Sequence, residues 1–157
     1  MTKPKSAPEG DYLRQVTIRL IRPEERERFD ALLERQHYLH SARVGGQSLR
    51  YVAEVDGQWV ALLVFSGAAP HTKARECKIR WTPRQRARRL GFVVNNSRFL
   101  ILPERQRYPN LASRVLALCL KRLNADWQEH WGHPVVLVES YVDESKYRGT
   151  CYRACGF

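Results

Sequence analysis

The chain has 157 residues, 43% hydrophobic and 27% charged, a balance that excludes a disordered or membrane-embedded chain and allows a core without metal or disulfide staples. Lysine and arginine total 27 against 16 acidic residues, and the formal net charge of +11 points to a polyanionic partner. No apolar run approaches a membrane span, and no apolar stretch follows the basic start MTKPKSAPEGDY. A cytoplasmic location is therefore expected, with reduced thiols and no membrane partner.

Residues 1–14, rich in Pro, Lys, Ser and Gly, read as a flexible leader, and 15–157 as a single domain. The alternation from Val16 to Arg22 predicts a strand. Pro23 then opens a helix with Phe29, Leu32 and Leu33 at helical spacing, running to about Leu39. Gly45-Gly46 marks a loop. Leu49 to Val55 and Gln58 to Phe65 form a hairpin around Asp56-Gly57. A basic insert at about 70–90 follows, with a short helix from Pro83 capped by Thr82. Phe92–Val94 and Arg98–Leu102 are β-rich, and Asn95-Asn96-Ser97 between them bulges or turns the chain. Asn110 caps the longest helix, whose apolar face carries Leu111, Val115, Leu118, Cys119 and Leu123. Gly132 and Pro134 stop it. The apolar run Val135–Val138 predicts a buried parallel strand, and a last helix ends at Cys155. The class is α/β or α+β, a mixed central sheet flanked by helices.

The charge has an address. Residues 71–122 carry 14 basic and 2 acidic residues, whereas the flanking parts are close to neutral. Arginine supplies 21 of the 27 cations, the residue type suited to bidentate phosphate and base-edge contacts. In the insert, Lys78, Arg80, Arg84, Arg86, Arg88 and Arg89 can track phosphates, and Trp81 can stack on a base. The alternative is a solvated helix face. Asn95, Asn96 and Arg98 are polar inside a β run, either a cluster reading a base edge or a bulge bonded to its own backbone. Glu139, Tyr141, Asp143, Tyr147, Arg148, Thr150 and Tyr152 could set a carboxylate against a tyrosine as base and acid, or form a structural network. His37, at the end of the first helix, is a further candidate catalytic group. Cys77, Cys119, Cys151 and Cys155 show no metal-ligand spacing, so no metal is expected.

The element order, with a hairpin after the first helix and a long helix between two late strands, resembles the GNAT acetyltransferase fold. Tyr152-Arg153-Ala154-Cys155-Gly156-Phe157 is similar to the Tyr-x-x-x-Gly-Phe that closes the last helix of many GNAT proteins. In that family a tyrosine at the position of Tyr152 often protonates the leaving thiolate. Arg107-Tyr108-Pro109-Asn110-Leu111-Ala112 stands where GNAT proteins place Arg/Gln-x-x-Gly-x-Gly/Ala around a pyrophosphate. The resemblance makes Arg107, Asn110, Leu111 and Ala112 cofactor-binding candidates if acetyl-CoA binds. Asn110 replaces the key glycine and Pro109 removes an amide donor, so no cofactor is the expectation and acetyl-CoA the alternative.

Longer stretches resemble the Druantia anti-phage system protein A family. They are Gln36–Leu39, Phe92–Pro103, Pro109–Ser113 with the helix to Trp127, Asp143, and Tyr147–Ala154. That resemblance implies a bacterial DNA-associated domain in anti-phage defence or a transposon-linked protein, with defence-system or transposase proteins as further partners. Family members usually continue past this point, so missing C-terminal strands are expected of a GNAT-like sheet. Nucleic-acid binding through the insert is the leading functional expectation. A GNAT-type acyltransferase, or a GNAT-like enzyme modifying a nucleobase, is the alternative.

Overall fold

A computed structural model describes residues 9–146 and 148–157. It opens with a helix, α1 (Glu9–Arg14), which corrects the leader expected over 1–14. Tyr12 is buried and stacks on Tyr108 with ring centroids 3.9 Å apart. Burying that ring holds the segment on the domain. Residues 1–8 of the expected leader lie outside the described residues.

The strand β1 (Thr17–Leu20) leads through a 3₁₀ turn into α2 (Arg26–Gln36). Next come β2 (Ser48–Val55) and β3 (Gln58–Gly67), then the insert helices α3 (Lys73–Ile79) and α4 (Pro83–Arg89). The chain continues with β4 (Val93–Ile101), α5 (Leu111–Trp131), β5 (Leu137–Glu139) and α6 (Thr150–Ala154). The five strands form one sheet in chain order, antiparallel from β1 to β4 and parallel between β4 and β5. Asp56 (φ 52°) and Gly57 (φ 73°) are both left-handed, the two-residue turn that matches the twist of a hairpin.

Adjacent residues of a strand face opposite sides, so β3 feeds two cores. Leu62 and Val64 pack with Phe29 and Leu33 of α2. Leu63 and Phe65 pack with Leu111, Val115, Cys119, Leu123 and Trp127 of α5. Each large apolar side chain buried this way contributes about 1.5–3 kcal/mol. Gly132 (φ 79°) ends α5 in the left-handed conformation that glycine adopts without strain.

The two β-rich runs around Asn95-Asn96-Ser97 are a single strand with a bulge. Val64 pairs with Arg98 and Phe65 with Asn96, leaving Ser97 as the extra residue. The strand expected at 135–138 is parallel and lies at the open sheet edge left by the missing C-terminal strands, as expected, but it is shorter and only partly buried. Val136, just ahead of it, is 75% exposed, and the strand has a neighbour on one side only. The insert holds two helices where one was expected. Arg80, at φ 56°, ends α3, and Thr82 caps α4 by accepting from Gln85 N (3.2 Å) while Gln85 Oε1 accepts from Thr82 N (3.0 Å).

Candidate functional site

β4 and β5 pair over only three residue pairs, Val93–Leu137, Val94–Val138 and Asn95–Glu139. Beyond them β4 stays with β3 while the chain after β5 turns away. The divergence opens a cleft of about 560 Å³, walled by the end of α2, β4, the start of α5, residues 141–143 and α6. The bulge at Ser97 bends β4 where the cleft begins, a common placement of bulges beside functional sites.

Nine expected residues border it: His37, Asn96, Asn110, Ala112, Tyr141, Asp143, Arg148, Thr150 and Tyr152. Asn96 is buried, and its Nδ2 donates to the carbonyls of Val64 and Arg98 (both 3.1 Å). That leaves Oδ1 facing the cleft, where it accepts from Tyr152 Oη at 2.6 Å. Burial pushes the Tyr152 hydroxyl up to about 12, partly offset by a hydrogen bond with Ser140, so the phenol stays protonated. Burial, aided by the charges of Arg98 and His40, pushes His37 down to about 4, so the imidazole is neutral near pH 7. Its Nδ1 accepts from Leu39 N (3.2 Å), which places the ring proton on Nε2. Asp143 is held below the usual carboxylate range by hydrogen bonds from the hydroxyl and amide of Ser145 (2.5 and 3.1 Å). Its carboxylate is engaged in that local turn. Tyr147 lies outside the described residues.

Other expected site residues go elsewhere. Glu139 does not line the cleft. Its oxygens accept from Arg75 Nε (3.0 Å) and Nη2 (2.7 Å), a two-armed ion pair in which the arginine side chain is only 3% exposed. Arg75 also donates to the carbonyls of Ala69 and Pro70. It therefore pins the foot of the insert to β5. Arg98 turns to the other face of the sheet and clamps the 41–43 loop through the carbonyls of Ser41 (2.8 Å) and Arg43 (3.0 Å). Asn95 sits in the β4–β5 ladder, its Oδ1 buried without a partner among the described residues. These placements set Asn95 and Arg98 apart from the insert with which they were grouped.

In the insert, Lys78, Arg80, Arg84, Arg88 and Arg89 are exposed and Trp81 is half-buried. Arg86 pairs with Glu76 at 3.3 Å, and Glu76 also meets His71 at 3.0 Å. With Lys73, six cations of the insert make no ion pair among the described residues. Sequence reasoning missed Arg75, because its partner lies 64 residues away and nothing local marks it. It also missed Glu9, which fell inside the expected leader.

A family model described as "Druantia protein DruA" matches residues 4–157. The chain belongs to the DruA family. No curated protein matches it. Ten chains of solved structures do. One is the crystal structure of a ribosomal-protein-alanine N-acetyltransferase from Brucella melitensis biovar Abortus 2308. It is 14% identical, with a TM-score of 0.50 over 90% of this chain and 92% of that one. At that identity the likeness is one of fold, and the DruA chain is GNAT-like in architecture.

That fold implies acetyl-CoA, whose pyrophosphate would meet the start of α5. The residues present in this DruA-family chain do not fit it. Pro109 has no amide hydrogen, and the Leu111 amide is bonded to the Tyr108 carbonyl (3.2 Å). The Asn110 amide donates to Glu9 Oε1 at 2.9 Å, and Asn110 Nδ2 reaches Glu9 Oε2 at 3.5 Å. A carboxylate of the chain itself thus satisfies the helix end, replacing the expected Asn110 side-chain cap. Leu111 is buried in the core. Arg107 lies over the Tyr108 ring, 5.0 Å from its centroid. Of the four residues expected to hold the cofactor, only Asn110 and Ala112 border the cleft. Among the described residues no group of three His, Cys, Asp or Glu side chains could hold a metal ion, and no helix is long and apolar enough to cross a membrane.

Proposed function

We propose that this DruA-family chain is the DNA-binding domain of a Druantia-type anti-phage defence or transposon-linked protein, acting in the cytoplasm. The insert α3–α4 is its binding face. The observation that carries this reading is the set of six cations, without an ion pair among the described residues, on two short helices and the turn between them that Arg75 fastens to the sheet. A solvated face of arginines would not need a buried two-armed anchor. A platform that must hold phosphates in register would. Trp81, half-buried between the helices, adds an aromatic surface.

Fluorescence anisotropy with labelled duplex and single-stranded oligonucleotides tests this. Six phosphate contacts on duplex give a slope of log affinity against log salt of about −5. Reversing Lys78, Arg84, Arg88 and Arg89 to Glu should shrink that slope by about 4, roughly one per cation. An affinity indifferent to salt, or unchanged by the four reversals, defeats the reading.

A second reading, group transfer from acetyl-CoA or onto a nucleobase, draws on the cleft. There a protonated Tyr152 and a neutral His37 could serve as acid and base. The Glu9 contact at α5 speaks against the acetyl-CoA form. Calorimetric titration with acetyl-CoA, and mass analysis of nucleosides from incubated DNA, separate these forms.

A further inference from the structure

DNA binding at the insert leaves the β4–β5 cleft without an occupant. We propose that the cleft receives a single unpaired nucleobase from the DNA that the insert holds. This rests on the insert reading and names what the neighbouring cavity takes.

Position is the first argument. Tyr141 lines the cleft, and its hydroxyl reaches Glu139 Oε1 at 3.5 Å, the same carboxylate oxygen that accepts from Arg75 Nη2 of α3. Two side-chain contacts therefore connect the foot of the cationic platform to the cleft wall. The foot of the platform and the wall of the cleft are thus neighbours.

Size and chemistry are the second. A volume of about 560 Å³ lies within the range of small-ligand pockets and exceeds that of one base. Its hydrogen-bonding groups are mostly neutral. The Gln36 amide makes no hydrogen bond among the described residues, so it offers a donor and an acceptor side by side. His37 adds a ring N–H at Nε2. The Asn96–Tyr152 pair is satisfied internally and stiffens the wall rather than binding. Phe99 and Tyr141 supply aromatic surface for stacking. Among the described residues Arg148 is the only lysine or arginine bordering the cleft, and Glu9 covers the nearby helix end. A phosphate-rich small molecule finds little there. A planar ring with a polar edge finds an amide, an imidazole and aromatic faces, the set that proteins use to read an extruded base.

Extruding a base costs a duplex its stacking and pairing, and an unpaired base has already lost most of that. Affinity is therefore to be compared for a fully paired duplex and one of equal length carrying a single bulged adenine. The bulged duplex should bind about tenfold tighter. Ala154→Trp, on the exposed side of α6 at the cleft wall, should bring the ratio to one and leave the paired duplex unaffected. Gln36→Ala, which touches neither core, should lower the ratio in a protein whose fold is undisturbed. Equal affinities in the wild type overturn the proposal while the insert reading stands. So does a preference that survives both substitutions, since bendability of the bulged duplex would then account for it. Failure to bind either duplex removes the insert reading, and this one with it.

Discussion

Single residues carry most of the chemistry of the cleft, and His37 is the one with a readable pH signature. Burial disfavours its charged form, so the folded pKa of about 4 lies below the ordinary value of about 6.5. As pH falls, the unfolded chain takes up the proton first. The contribution to stability is complete above about 6.5 and is lost as pH falls toward 4. Urea midpoints should therefore correspond to a loss of about 1–2 kcal/mol between pH 7 and 5. His37→Asn keeps an acceptor for the Leu39 amide and should flatten that slope. At this scale the sequence was partly legible. Asn96 stood out as a polar group inside a β run and Tyr152 by its place in the GNAT-like ending, and they meet in space. Glu139 stood out as a carboxylate set against that tyrosine and does not join it. Its partner is chosen by where α3 lands, and the one-dimensional pattern carries no trace of that.

Among the elements, the insert depends most on one contact. Removing one partner of a buried ion pair leaves the other charge unpaired. Arg75→Ala should cost about 3 kcal/mol in chemical denaturation. It should also weaken duplex binding by more than one phosphate contact is worth, because α3 and α4 lose their fixed orientation. If Arg75→Ala lowers the salt slope by about one and does nothing else, the anchor is only another cation. Capping residues made α4 visible in advance, since Thr82, Pro83 and Gln85 act within one turn. α3 was invisible because its end is set by Arg80 in a left-handed conformation that arginine does not advertise. α1 was hidden for a different reason. A six-residue helix draws its stability from Tyr12 against Tyr108 and Glu9 against α5, contacts about a hundred residues away in the chain.

At the scale of the whole molecule, the alternating β pattern, the Asp56-Gly57 turn and the long amphipathic α5 made the layered sheet legible. The DruA match and the acetyltransferase likeness agree with that architecture. The edge position of β5 followed from the resemblance, which leaves the last parallel strand open, and not from the apolar pattern itself. A continuous apolar run looks the same whether the sheet continues beyond it or stops, and strand order is a tertiary property. The same edge carries a consequence for motion. Three parallel residue pairs are a thin attachment, and strands held so lightly open at lower free energy than the four-stranded antiparallel part. The backbone amides of Leu137, Val138 and Glu139 should therefore exchange with deuterated solvent well before those of β2 and β3. Glu139 holds the insert from that frayable strand, so a ligand that steadies the insert must also steady β5. Adding duplex DNA should slow exchange at residues 137–139, away from the phosphates themselves. The thinnest seam of the sheet then becomes a reporter of what is bound on the insert.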